Sequence, residues 1–336
     1  MLRLTRTSTL AVALTTIAAA CGGKDDVRSD TVATHEPVVV ATVEPTPEPT
    51  SSFVVDPNVT FEQAESRFKS GGYAEATEMF AVYVTRKPEN PWGHYMLGLA
   101  SWKSGQLERA RQAFESALER DSSHVKSYIN LSRVLLEEER KGEALVRIRQ
   151  ALVLDSASSD GWRVLGRVHG ELGNVEDAVS AYQSALAIDP DDSWAMNNMG
   201  LVLIRAGRYD EALLPLARAV QIDESSTPQF LNNLGIALER TGRYAQAEKQ
   251  YRKALESDGG YAKATVSLSR VAGRSDDPGV SPVEIHELGD SFALTVAQWR
   301  TERGLTPVAE EPVVVPDTVE SEQQLSKVDT TSTPKE

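Results

Sequence analysis

Five histidines and one cysteine are the side chains from which a metal centre or an activated nucleophile would be assembled in this chain. His35, His94, His124, His169 and His286 stand apart, with no His-Glu-x-x-His pair, and Cys21 has no second thiol. Neither a zinc site nor a cysteine–histidine couple is expected. Gly71-Gly72 and Gly259-Gly260 lack the Lys-Ser/Thr that follows the glycines of a phosphate loop. Carboxylates are numerous but scattered, as on solvated helix surfaces. The chain is therefore expected not to be an enzyme and to need no metal, cofactor or small-molecule substrate. The chemistry that recurs is that of the carboxamide. Asn130, Asn198 and Asn233 each stand two residues before a small one, Ser132, Gly200 and Gly235. A carboxamide can donate to a peptide carbonyl and accept from a peptide N–H at once.

Composition narrows what positions these groups. The 336 residues are 40% hydrophobic and 25% charged, with a net charge of -14, and aromatic residues make up only 6%. A soluble folded body is expected, built from close-packed helices rich in Ala, Leu and Val. The acidic balance argues against a nucleic-acid partner, which would require clustered Lys and Arg.

The N-terminus reads as an address. Arg3 and Arg6 precede an uncharged run from Ser8 to Ala20, and Ala18-Ala19-Ala20-Cys21-Gly22 follows. The run is too short to anchor across a hydrocarbon layer of about 30 Å, so cleavage is expected. The small residues before Cys21 resemble the lipobox of bacterial lipoproteins, although Ala18 stands where Leu is usual. That resemblance implies a signal peptide over 1–21 and a covalent lipid, of the palmitate type, on Cys21. Several acyl chains on one cysteine give stable membrane attachment. By the same resemblance Gly22 permits transfer to the outer membrane, periplasmic face, of a Gram-negative cell. The alternative is an ordinary Ala-x-Ala cleavage site followed by a cysteine. Residues 22–56, with Pro45-Thr46-Pro47-Glu48-Pro49, read as a Pro/Thr/Glu-rich linker, and 305–336 as a disordered acidic tail.

Between them one pattern recurs every 34 residues. Gly98, Ala110, Phe114 and Ala117 have the same spacing as Gly166, Ala178, Tyr182 and Ala185, as Gly200, Ala212, Leu216 and Ala219, and as Gly235, Ala247, Tyr251 and Ala254. Ser132-Ala144-Ile148-Ala151 and Ala64-Ala76-Phe80-Tyr83 add two more units. Trp162, Leu165, Gly166, Ala178, Tyr182, Ala185 and Pro190 together resemble the tetratricopeptide repeat signature. The resemblance implies an all-α fold, a right-handed solenoid of antiparallel helix hairpins. Its units are 57–90, 91–124, 125–158, 159–192, 193–226 and 228–261, with a capping helix at 262–274. Gly105, Gly173, Gly207 and Gly242 are expected at the hairpin turns with φ > 0. Glu139 breaks that pattern, so its loop is expected to be reshaped. Pro215 is expected to bend its helix. Residues 282–303 place Ile285, Leu288, Phe292, Val296 and Trp299 at amphipathic helical spacing. The alternation of Phe292, Leu294 and Val296 leaves a strand open. As a helix this segment would cover the last repeat or fold back into the groove.

In such a solenoid the first helices line a concave groove, the expected site for a protein or peptide ligand. Asn130, Asn198 and Asn233 fall at one repeat position there, interrupted by Met96 and Val164. Their spacing resembles the asparagine ladder of O-linked N-acetylglucosamine transferases, which implies capture of an extended peptide by its backbone. Intramolecular bonding of the same amides is the plainer alternative. Arg163, Arg167 and Arg205 are candidates to meet acidic or C-terminal carboxylate groups, and Trp102 and Trp194 to offer stacking surface; Trp162 reads as core. A carboxylate-clamp resemblance fails at Gln229. The function that follows is a non-enzymatic scaffold, membrane-tethered in the cell envelope, acting as an assembly or secretion adaptor. The alternatives are an enzyme-associated regulatory subunit and a structural homo-oligomer.

Overall fold

A computed structural model describes residues 54–223 and 227–305. The signal segment with Cys21, the linker before Val54 and the tail beyond Leu305 lie outside the described residues. Fourteen α-helices and no strand occur among them. Six consecutive hairpins pair a leading with a trailing helix: α1 (Phe61–Lys69) with α2 (Tyr73–Arg86), α3 (Pro91–Lys103) with α4 (Leu107–Arg120), and α5 (Val125–Glu137) with α6 (Lys141–Leu154). They continue as α7 (Ser159–Glu171) with α8 (Val175–Ile188), α9 (Ser193–Arg205) with α10 (Tyr209–Ile222), and α11 (Pro228–Arg240) with α12 (Tyr244–Ser257). Two helices follow, α13 (Ala262–Val271) and α14 (Ile285–Glu302).

The first five leading helices start where a side chain can accept the orphan N–H groups of the first turn. Thr60, Asn90, His124, Ser158 and Asp192 do so, Thr60 through a reciprocal capping box with Gln63. Each leading helix then stops at a tight turn. Gly105, Gly173, Gly207 and Gly242 take φ between 76° and 82°. Glu139 adopts the same left-handed conformation, φ 58°, and Arg140 N still donates to Leu135 O at 2.8 Å. The expected reshaped loop is therefore corrected. The turn keeps its geometry and Glu139 bears the Cβ crowding, because the helices on either side fix where the chain must reverse.

The repeated small residues earn their place by contact. A Cβ added to Gly166 would lie 2.7 Å from the Tyr182 ring, and one on Gly98 2.6 Å from Phe114. Gly200 and Gly235 meet Leu216 and Tyr251 in the same way, each at 2.4 Å. Ala178 and Tyr182 are 0% and 1% exposed, so there is no free volume to take up a methyl group. Trp162 is half-buried and packs against the core, with Nε1 donating to Ser156 O. Pro215 is buried within α10, which runs uninterrupted through it.

Successive leading helices pack against one another from α1 to α13, whereas successive trailing helices do not meet among the described residues. Spacing that is tighter on one side than the other bends a stack. The leading helices therefore form the inner face and the trailing helices the outer.

α14 lies on the outer face, against α8 and α10. The chain reaches it by crossing the α11–α12 turn. Asp276 Oδ1 accepts from Ala245 N, Asp277 N donates to Gly242 O, and Gln246 clasps the Val283 backbone through both carboxamide atoms. Phe292 and Val296 are 3% and 2% exposed in the core cluster of the fourth to sixth hairpins. Arg300 Nη1 donates to Ala187 O and Ile188 O, covering carbonyls that the end of α8 leaves without helical partners. The segment thus covers the outer side of the fourth and fifth units, not the last repeat and not the groove. No described helix is long and apolar enough to cross a membrane.

Candidate functional site

The inner face holds a cleft of about 290 Å³ lined by Arg133, Arg163, Val164, Arg167, Trp194 and Asn198. These residues come from three successive leading helices, α5, α7 and α9. One side of each helix faces inward, so positions three to five residues apart on α7 and α9 converge with Arg133 across the helix boundaries. The cleft gathers four of the sequence candidates: Arg163, Arg167, Trp194 and Asn198.

Its charge is partly neutralised from within. Arg163 pairs with Asp160 at 2.5 Å and with Asp192 at 3.0 Å. Arg133 pairs with the same Asp160. Burial pulls the Arg133 guanidinium below its ordinary range, against the opposing pull of Asp160. Burial likewise raises Asp192, with Arg163 working in the other direction. Arg167 differs: it is exposed and has no ion pair among the described residues. Its charge is felt by the Glu171 carboxylate one turn further along α7. Trp194 is 48% exposed, its inner edge packed on Phe230 at 4.9 Å between ring centroids. Asn198 accepts from Asn197 Nδ2 at 3.4 Å, and its own Nδ2 has no acceptor among the described residues.

The other candidates lie elsewhere. Asn130 follows the plainer alternative of intramolecular bonding. It is 6% exposed, its Nδ2 donates to Lys126 O and Tyr95 Oη, and its Oδ1 accepts from Arg133. Its amide group is engaged by Lys126 and Tyr95, and its oxygen positions Arg133. Asn233 is half-buried and donates to Asn197 Oδ1 at 2.9 Å, so the expected ladder of three equivalent amides is instead a local Asn233–Asn197–Asn198 chain. Arg205 is exposed and pairs with Glu171 at 2.9 Å. Trp102 is half-buried and donates to Glu137 Oε2 at 3.0 Å, outside the cleft. Arg133 escaped sequence reasoning, yet it sits 34 residues before Arg167 at the same repeat position.

Among the described residues no three His, Cys, Asp or Glu side chains are grouped to hold a metal ion. An exposed guanidinium, an indole face and a free amide donor, side by side, suit an extended polypeptide with an acidic group.

Known proteins share the repeat architecture. The tetratricopeptide repeat family model matches residues 61–125, 95–161, 129–193, 163–227 and 197–264. A TPR repeat-containing protein of Methanocaldococcus jannaschii is 27% identical over 168 residues, covering 47% of this chain and 30% of that protein. The BBSome complex member bbs-4 of Caenorhabditis elegans is 25% identical over 169 residues, 48% of this chain and 37% of its own. The chain spans between 30% and 37% of the length of these two curated relatives. Among solved structures, the APC/C hetero-tetramer Cut9-Hcn1 superposes with a TM-score of 0.55 at 18% identity, over 77% of this chain and 48% of that one. A tetratricopeptide repeat protein from Parabacteroides merdae gives 0.53 at 15% identity, over 72% and 91%. At such identities the likeness is one of fold.

Proposed function

The chain belongs to the tetratricopeptide repeat family, and on that premise we propose that it is a non-enzymatic protein-interaction scaffold holding an extended peptide, or a segment of a partner protein, in the central inner cleft. The observation that carries this reading is the convergence of Arg167, Trp194 and Asn198 on one open cleft. Arg167 supplies the anion contact, Trp194 an apolar platform and Asn198 a donor to a peptide carbonyl. Arg133 and Arg163 are balanced by Asp160 and Asp192, which leaves the excess positive charge of the cleft on Arg167.

Export and lipidation complete the reading. Cys21 carries a covalent lipid, and the solenoid is tethered to the bacterial cell envelope, at the outer membrane in a Gram-negative cell, as an assembly or secretion adaptor. Arg3, Arg6, the uncharged run to Ala20 and the small residues before Cys21 support this.

A photoreactive residue at position 198, introduced in cells, is expected to trap a defined partner polypeptide. Arg167→Glu should abolish that product without moving the melting temperature, since the side chain is exposed. Trapping of nothing but the chain itself would overturn the scaffold reading. For the anchor, an alkyne-bearing palmitate should label the wild-type chain and not Cys21→Ala; equal labelling of the two would remove the lipid from the account.

A further inference from the structure

The outer-face seat of α14 has an uncovered counterpart two units earlier. A cleft of about 260 Å³ runs along the end of α14, with Pro190, Asp191 and Arg218 on one side and Val296, Ala297 and Arg300 on the other. Ser122 and Gln150 hold the repeat positions of Pro190 and Arg218. They line an outer cleft of about 310 Å³ between α4 and α6, together with Tyr128, Arg149, Val153 and Leu154. Tyr128 is shared with an adjoining cleft of about 340 Å³ that contains Leu118 and Arg147. No other helix lies over these clefts among the described residues.

The counterpart differs from the seat in its chemistry. Leu154 and Val146 match Ile222 and Leu214, which are packed against the core, yet they are 47% and 55% exposed. Val153, 85% exposed, replaces Gln221, whose amide donates to Asp290 of α14. Arg147 and Arg149 replace Pro215 and Ala217, both buried. Neither arginine is in an ion pair among the described residues, although Arg147 donates to Gln150 at 3.3 Å and its charge reaches Glu143. The carboxylates of the α4 wall, Glu115 and Glu119, are paired with Arg111 and Arg120. Two long cations in place of two small residues leave less depth than α14 enjoys. That suits an extended chain with apolar and acidic side chains better than a second helix.

We propose that the outer cleft between α4 and α6 is the seat of the chain's own residues 308–317. This segment reads Val308-Ala309-Glu310-Glu311-Pro312-Val313-Val314-Val315-Pro316-Asp317. Its three central valines lie on Val153, Leu154 and Tyr128, and Glu310 and Glu311 meet Arg147 and Arg149. Pro312 and Pro316 favour an extended backbone on either side of the valines. The point of departure is suitable. Arg300 is fixed on the last carbonyls of α8, and Leu305 N donates to Arg300 O at 2.9 Å, so the segment sets out from the outer face. Two units span about 20 Å at about 8–10 Å per packed helix. The eight residues from Leu305 to Val313 reach about 26–29 Å when extended. A tethered segment also meets the cleft at high effective concentration, which a separate protein of the same chemistry would have to overcome. The proposal concerns the face opposite the central cleft and does not rest on peptide binding there.

The test places a photoreactive benzophenone side chain at position 314 of the full chain and maps the cross-links by peptide mass spectrometry. Products within one chain are expected at 118–128 and 146–154, with a yield that dilution does not change. The double variant Arg147→Glu/Arg149→Glu should lower that yield by about fivefold or more, since two attractions become two repulsions. Adding Glu310→Lys/Glu311→Lys to it should restore the yield. Val153→Asp changes a residue that is 85% exposed, so it tests the apolar contact without threatening the fold, and it should lower the yield by about threefold or more. Cross-links spread over the inner face or over α10 to α14 would overturn the proposal. So would a yield that the double variant leaves unchanged, or one that the reversed pairs do not restore. Cross-links between chains that fade on dilution would give the cleft to a second copy and overturn it equally.

Discussion

Two stretches of the solenoid share a repeat and differ in what covers their outer face. In the third hairpin the trailing helix α6 is bare: Val153 is 85% exposed and Val146 55%. In the fourth, Ala187 occupies the repeat position of Val153 and is 0% exposed, beneath the end of α14. The repeat signature dictates the contacts between the two helices of a hairpin and between neighbouring hairpins. It leaves the outer surface of each trailing helix to local choice. α14 lies outside the repeat and uses that freedom to cover α8 and α10, so the stack is bare over its first three hairpins and clad over the fourth and fifth. In a quasi-one-dimensional array, stability is a sum of local terms. The two parts should then respond separately to perturbation.

The largest test removes the cladding's anchor. Phe292→Ala empties a site that is 3% exposed and should cost about 3–5 kcal/mol. Hydrogen exchange should locate the loss in α8, α10 and α14, with α3 to α6 keeping their protection. If every hairpin loses protection equally, the stack unfolds as one unit and the distinction between bare and clad parts has no energetic content.

A smaller change strengthens the bare part. Glu139 alone among the non-glycine described residues has a positive φ, and its Lys141 ion pair at 3.1 Å is largely exposed and worth little. Glu139→Gly should therefore stabilise the chain by about 0.5–1 kcal/mol, relief of left-handed strain outweighing the added freedom of the unfolded glycine. Chemical denaturation checks the sign, and exchange should place the gain in α5 and α6. No gain would mean that the ion pair compensates the strain.

Much of this was legible in the sequence where a residue type has one physical purpose. Gly166 must be small because the Tyr182 ring occupies its Cβ position, and that requirement repeats at Gly98, Gly200 and Gly235. Hairpin phase could therefore be read without a structure. The Glu139 turn was misjudged because an αL position was equated with glycine, whereas the flanking helices enforce the conformation on whatever residue is there. In the cleft, Arg167 and Trp194 were readable as inward positions, but amide partners were not. Asn130 and Asn198 are equivalent by repeat position, yet Tyr95 and Lys126 engage the first and leave the second with a free donor. The seat of α14 had a signal in its partners. After their first turns α8 carries no charged residue and α10 only Arg218, while α4 and α12 are charged throughout. Helices lacking a polar side must be covered by something.

The smallest effect is a titration that divides the two parts by pH. His94, His124 and His169 are 8%, 6% and 6% exposed, and burial lowers the pKa of each below its ordinary 6.5. The unfolded chain thus takes up these protons more readily than the folded one. Stability held by the neutral rings is complete above pH 6.5 and is lost as pH falls through the lower folded-state values. His94 and His124 belong to the second and third hairpins, and His169 to α7, whereas the clad helices α8 and α10 contain no histidine. His124 is the most exacting case. Its Nδ1 accepts from Ser127 N at 3.2 Å to cap α5, which leaves the neutral ring's proton on the enclosed, unpartnered Nε2, so a second ring proton must enter at Nδ1 and forfeit the cap. Between pH 7 and pH 5, exchange should therefore accelerate in α3 to α7 and at the start of α8, where His169 meets Asn174 and Asp177, while α10 holds its protection. His124→Asn keeps a cap acceptor that does not titrate and should flatten part of that response. An unaltered pH dependence in that variant would shift the origin of the acid lability to His94 and His169.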